Sequence, residues 1–161
     1  MTDEKKFNPS HTIYKPNFKD SSKGCATSWE WNPKTSNFFM TIAKQSSAKS
    51  DLGKPTFAWK DSSEIFKLDM SDLAEISLVF SGQKEKLGQD DGNKGKGLFH
   101  QNKSGNSILK LYKLDEGFAL ELSTKKGEQR FWAGHRISLQ ESKVLSVIID
   151  RCIWEMFSAS R

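Results

Sequence analysis

Apolar and polar residues alternate through most of this chain, and twice the period of two gives way to the longer rhythm of a helix. The pattern is densest after Gly105. In Ser107–Lys113, Leu109 and Leu111 fall on one side and Ile108, Lys110 and Tyr112 on the other. Asp115-Glu116-Gly117 signals a turn. Phe118, Leu120 and Leu122 then alternate with Ala119, Glu121 and Ser123. After a second turn at Lys126-Gly127-Glu128, Phe131, Ala133, His135 and Ile137 share one face, and Arg130, Trp132, Gly134 and Arg136 share the other. Ser138-Leu139-Gln140-Glu141 is a capping-box sequence, so a helix starts there, with Leu145, Ile148, Ile149, Cys152 and Met156 as its apolar stripe.

The first half repeats this plan coarsely. Strands are expected at Cys25–Trp31 and Asn37–Gln45, separated by the turn Asn32–Ser36. Thr56–Leu68 reads as strand with a polar bulge or turn at Lys60–Ser63, and Asp69 caps a helix from Met70 to about Phe80. Gly82–Gly97, rich in Gly, Lys, Gln and Asp, reads as a flexible loop, and Gly97–Gln101 as a short strand. Residues 1–22 read as a flexible tail, with at most a short extended piece around Ile13-Tyr14. The pattern predicts one α+β domain over residues 23–161, built from two antiparallel sheets, each followed by a helix.

Composition narrows the function. The chain has 161 residues and a net charge of +5, which favours anionic partners. No apolar run approaches the ~20 residues needed to cross a bilayer. The opening Met-Thr-Asp-Glu-Lys-Lys lacks the apolar core of a signal peptide, so an intracellular setting is expected: cytoplasm, nucleoid or organelle matrix. Cys25 and Cys152 match neither a disulfide framework nor a zinc spacing. His11, His100 and His135 lie on separate elements, and Gly92–Gly97 lacks the Ser/Thr and helix of a phosphate loop. The reading is a non-enzymatic protein with no cofactor or metal.

A sheet with one apolar face and one face of Lys, Arg, Tyr and Trp suits a polyanion with stacking bases, bound with little sequence specificity because every base can stack. The candidate contacts are Lys110, Tyr112, Arg130, Trp132 and Arg136, extended by Lys23, Trp29 and Trp31. For Trp29 and Trp31 a place in the core is the competing reading.

The ordered series of elements resembles the Whirly proteins, within the wider group that includes the transcriptional coactivator positive cofactor four. Lys23-Gly24-Cys25-Ala26-Thr27 is similar to the Lys-Gly-Lys-Ala-Ala motif of that family and departs from it at Cys25 and Thr27. Phe38–Lys44, Phe57-Ala58-Trp59, Phe66-Lys67-Leu68, Phe99-His100, Asn106–Lys110, Gly117–Leu122 and Ile137–Ile153 resemble its later elements in order. The resemblance implies two four-stranded antiparallel sheets packed crosswise with a helix after each. It also implies binding of single-stranded DNA, or of RNA as in the guide-RNA-binding proteins of kinetoplastid mitochondria, and assembly as a homotetramer through helices.

The last helix supports assembly independently. Val144, Val147, Ile153, Trp154 and Phe157 lie outside its first apolar stripe and are expected at a subunit interface. An oligomeric scaffold with no nucleic-acid role would carry the same helix, and remains the alternative from sequence alone.

Overall fold

The computed structural model describes residues 7–47, 53–88 and 97–159. Among these are nine strands and two α-helices. The first sheet holds β1 (Ser10–Lys15), β2 (Cys25–Asn32) and β3 (Asn37–Ser47) in order. The far side of β3 pairs with the two-residue β4 (Thr56–Phe57) at one end and with β5 (Ser63–Leu68) along the rest. Helix α1 (Met70–Phe80) follows. The second sheet runs β6 (Leu98–Asn102), β7 (Gly105–Lys113), β8 (Phe118–Lys126), β9 (Gln129–Ile137), and leads into α2 (Leu139–Ala159). Every pairing is antiparallel.

Both helices start as their sequences specify. The Asp69 carboxylate accepts from the Asp72 amide while the Asp72 carboxylate accepts from the Asp69 amide. Ser138 and Glu141 exchange the equivalent pair of bonds at α2. Each box satisfies two amides that the first turn would otherwise leave unpaired.

Two segments are more ordered than their composition suggests. Residues 10–15 lie in the expected flexible tail, yet form β1 across the edge of β2, with Ile13 buried. The unpaired amides and carbonyls of an edge strand supply the reason. In the expected loop Gly82–Gly97, residues 82–88 are pinned. Leu87 is buried and donates to the Leu111 carbonyl, the Lys113 amide donates to Glu85, and Lys84 bonds Glu75 and the Gly88 carbonyl. The rest of that loop, 89–96, and residues 1–6 of the tail lie outside the described residues.

The core lies between the sheets and under the helices. Phe38, Met40 and Ile42 of β3 are buried, as are Leu109 and Leu111 of β7, Leu120 and Leu122 of β8, and Leu145, Ile149 and Cys152 of α2. Strand register fixes the two early tryptophans: Trp31 opposes Phe38 and Trp29 opposes Met40. Opposed residues share a face, so a buried Phe38 and Met40 carry both indoles inward. Trp29 is 0% exposed and Trp31 4%.

Polar bonds fix where the sheets meet. Cys25 Sγ lies 3.1 Å from the Gly134 carbonyl oxygen, and Thr27 Oγ1 lies 2.9 Å from His135 Nε2. His135 Nδ1 is 2.8 Å from the Arg136 carbonyl, which can only accept, so Nδ1 carries the ring hydrogen. Nε2 therefore accepts from Thr27, whose oxygen accepts in turn from Trp29 Nε1 at 3.0 Å. Protonating Nε2 would make the Thr27 hydroxyl turn its hydrogen away and accept from the ring instead. Burial holds the His135 pKa below the ordinary histidine value; Lys15 adds to this, while the Arg136 carbonyl and Glu141 oppose it.

A depressed histidine pKa makes the unfolded chain the better proton binder as the pH falls past about 6.5. Its stabilising contribution is present above that pH and lost below it. Denaturant midpoints measured from pH 7.5 to 5 should therefore fall, and fall less steeply in His135→Gln. Glu141, also depressed, acts only lower, around the carboxylate range. Equal slopes for the two proteins would refute the assignment.

Candidate nucleic-acid interface

Strand register assembles one face of the second sheet from residues distant in sequence. On its outer side Gln101, Asn106, Lys125 and Arg130 form one row across the four strands. Phe99, Ile108, Ser123 and Trp132 form the next. Lys110, Glu121 and Gly134 follow, then Tyr112, Ala119 and Arg136, with Lys86 bridged to Tyr112 at the open edge. Five expected contacts, Lys110, Tyr112, Arg130, Trp132 and Arg136, are thus on one surface. They share it because period-two alternation in β7 and β9 meets a register that aligns the two outward sets.

The second row shapes a groove of about 550 Å³. Phe99 and Trp132 stand at opposite ends of that row, three strand spacings or roughly 14 Å apart. Both are more than half exposed, and Ile108 and Ser123 lie between them. Lys44, Lys125 and Arg130 line the same groove. Lys44 reaches it from β3, with its ammonium 4.9 Å from the centre of the Phe131 ring. A second depression of about 300 Å³ continues past Arg130 and Phe131 toward Ser62 and Glu64, where Lys126 is paired with Glu64 at 2.9 Å. A third, of about 240 Å³, holds Lys86, Lys110, Tyr112 and Glu121. Burial and the neighbouring Glu121 raise the pKa of Tyr112, whose hydroxyl donates to Glu121 Oε1 at 3.2 Å.

The remaining expected contacts separate. Trp29 and Trp31 present no stacking surface. Withdrawing a buried aromatic costs ~3–5 kcal/mol, against ~1–3 kcal/mol returned by a stacked base, so burial wins. Lys23 closes a 3-10 turn at Ser21–Lys23, is largely exposed and sits 3.7 Å from Asp20. It lies two residues before Cys25, whose partner across β2–β3 is Lys44. Phe99, Lys44 and Lys125 were not among the expected contacts. The alternation of β8 could have supplied Lys125, but nothing local links Lys44 of one sheet to Trp132 of the other.

The expected interface residues on α2 divide as well. Val144, Val147, Trp154 and Phe157 are exposed, opposite the buried Leu145, Ile149 and Cys152, and the Trp154 and Phe157 rings lie 5.9 Å apart. Leu139 adds to this open face. Ile153 instead packs partly on the core of its own chain. Among the described residues no helix is long and apolar enough to cross a membrane, and no group of three or more His, Cys, Asp or Glu is placed to hold a metal ion. Burial pushes the free thiols up, Cys25 to about 11 and Cys152 to about 12.

No protein-family model matches the sequence, and no curated protein matches it. Solved structures do. MRP1/MRP2 of Trypanosoma brucei superposes with a TM-score of 0.70 at 12% identity, over 97% of this chain and 90% of that one. A guide-RNA-binding protein complex bound to a guide RNA gives 0.68 at 13% identity, over 97% of each chain. WHY1 of Arabidopsis thaliana gives 0.66 at 16% identity, over 93% and 91%. With two antiparallel sheets, each followed by a helix, and this agreement along nearly its whole length, the chain has the Whirly-like fold.

Proposed function

We propose that this protein binds single-stranded nucleic acid, principally single-stranded DNA, through the outer face of its second sheet, with stacking as the main source of affinity. The observation that carries the reading is the register. It sets Trp132, Tyr112 and Phe99 on one surface with Lys110, Arg130 and Arg136. Stacked bases need exposed rings, and phosphates need cations beside them. RNA is the second reading, favoured by the likeness to a complex solved with guide RNA. The setting would be DNA maintenance or transcription regulation in the first case and RNA handling in the second. Catalysis is not part of the proposal.

We further propose that the open face of α2 joins copies of the chain into a homo-oligomer, a tetramer in preference to a dimer. Each copy then contributes one short binding face, and a long strand gains by linking several.

Fluorescence anisotropy with a labelled strand of about thirty nucleotides is the direct test. Binding at micromolar affinity or tighter is expected in low salt, weakening by several ions in a log–log salt titration. Duplex DNA and RNA of the same sequence serve as competitors and decide between the two readings. No binding to any of the three at low salt would overturn the proposal and leave the oligomeric scaffold.

A further inference from the structure

Glu121 is the single carboxylate in the four rows of the outer face, and it sits near the middle of a surface whose other charged residues are all cationic. It opposes Lys110 on one side and Gly134 on the other. Among the described residues it forms no ion pair, and its hydrogen-bond donor is the Tyr112 hydroxyl, at one of its two oxygens. A carboxylate there repels any phosphate that approaches it. Lys110, directly across the β7–β8 pair, offsets part of that repulsion, and the oxygen that Tyr112 leaves free can accept from donors on base edges. Gly134 carries no side chain, and Glu121 leans toward it, its Cγ 3.1 Å from where a Cβ would stand. The close β8–β9 approach demands a glycine there, since a Cβ at Gly134 would lie 2.6 Å from the Leu120 carbonyl oxygen. Trp132 is two residues from Gly134 on the same strand face, diagonal to Glu121 and within reach of it.

We propose that Glu121 makes the face selective for guanine. The proposal rests on the nucleic-acid reading above and adds a base preference to it. A purine stacked on Trp132 extends toward Gly134 and turns its edge to Glu121. Guanine offers two adjacent donors there, N1–H and the N2 amino group, which match the two carboxylate oxygens. Thymine and uracil offer one N–H flanked by two carbonyl oxygens, which the carboxylate repels. Adenine and cytosine each offer an amino group beside a ring-nitrogen acceptor. Stacking on the indole is indifferent to the base, so selection falls to this edge contact.

The test compares an oligothymidine strand with a strand of equal length carrying isolated guanines, by anisotropy at one fixed salt concentration, for the full chain and Glu121→Gln. The unmodified protein should bind the guanine-bearing strand about tenfold tighter. Replacing guanine by hypoxanthine, which keeps N1–H and loses the amino group, should give an intermediate affinity. Glu121→Gln should bind oligothymidine tighter than the unmodified protein, because a negative charge has left the phosphate path, while the preference shrinks to about twofold or less. Glu121 lies on the solvent face, and Tyr112→Phe, which frees the second carboxylate oxygen, should preserve or increase the preference. Equal affinity for both strands, with a ratio unchanged in Glu121→Gln, would overturn the guanine assignment and leave the binding face intact. Failure of both strands to bind would overturn both.

Discussion

Trp132→Ala is expected to weaken single-strand binding by about 5- to 150-fold, with the salt dependence unchanged. The range follows from ~1–3 kcal/mol per base stacked on an aromatic ring and about 1.4 kcal/mol per tenfold. Trp132 is 56% exposed and stands at one end of the groove whose other end is Phe99. Its loss removes stacking area without exposing core, so the fold should survive. An indole carries no charge and releases no counterion, and the salt slope therefore stays where it was. Arg130→Ala supplies the contrast. It should flatten the slope by about one unit and cost less at high salt, because phosphate neutralisation is what it supplies. Parallel salt titrations of the two variants separate stacking from charge on one sheet face. If both bind as the unmodified protein does, nucleic acid does not use this face.

The second large effect is expected at α2. Trp154→Glu should convert the proposed oligomer to monomer at tens of micromolar, as read by sedimentation velocity. Trp154 and Val147 are both 59% exposed in the single chain and lie seven residues apart on one side of the helix, facing away from the buried Leu145, Ile149 and Cys152. A contact between copies through that side would bury the indole of each. Placing a carboxylate there costs several kcal/mol per buried charge, enough to raise the dissociation constant about 100-fold or more. Because Trp154 does not contribute to the core of its own chain, the monomer should stay folded by circular dichroism. An unmodified protein that sediments as a stable monomer would refute the interface. Trp154 would then be an exposed aromatic without an assembly role, and the avidity argument would fall with it. Each monomer would still bind through its own sheet face.

Sequence by itself determined a good deal of this architecture. Alternation in β7, β8 and β9 names their faces correctly, because a strand projects successive side chains to opposite sides whatever it packs against. The sequences Asp69–Asp72 and Ser138–Glu141 mark the helix starts, because a cap satisfies amides within three residues of itself. Both are local effects, fully present in a short segment. The outward set Lys110, Tyr112, Arg130, Trp132 and Arg136 was legible for the same reason.

What the sequence left open were the questions that depend on a partner far along the chain. Trp29 and Trp31 alternate as faithfully as Trp132 does, and their strand would serve a binding face equally well. The pairing with Phe38 and Met40 turned them inward, and that is a fact of register between strands, not of either strand alone. Residues 10–15 carry too few apolar side chains to announce a strand, yet the open edge of β2 gave their backbone a partner. Leu87 lies in a stretch that reads as a polar loop, and it is buried because the edge of β7 receives it. Lys44 and Phe99 joined the groove only once two sheets and five strands were brought together. Glu121 was placed on the polar face by alternation, but its position beside a bare Gly134 and a half-satisfied bond to Tyr112 came from pairing across β7, β8 and β9. Local chemistry wrote the elements and their faces; long-range packing chose which face each of the early strands would hide.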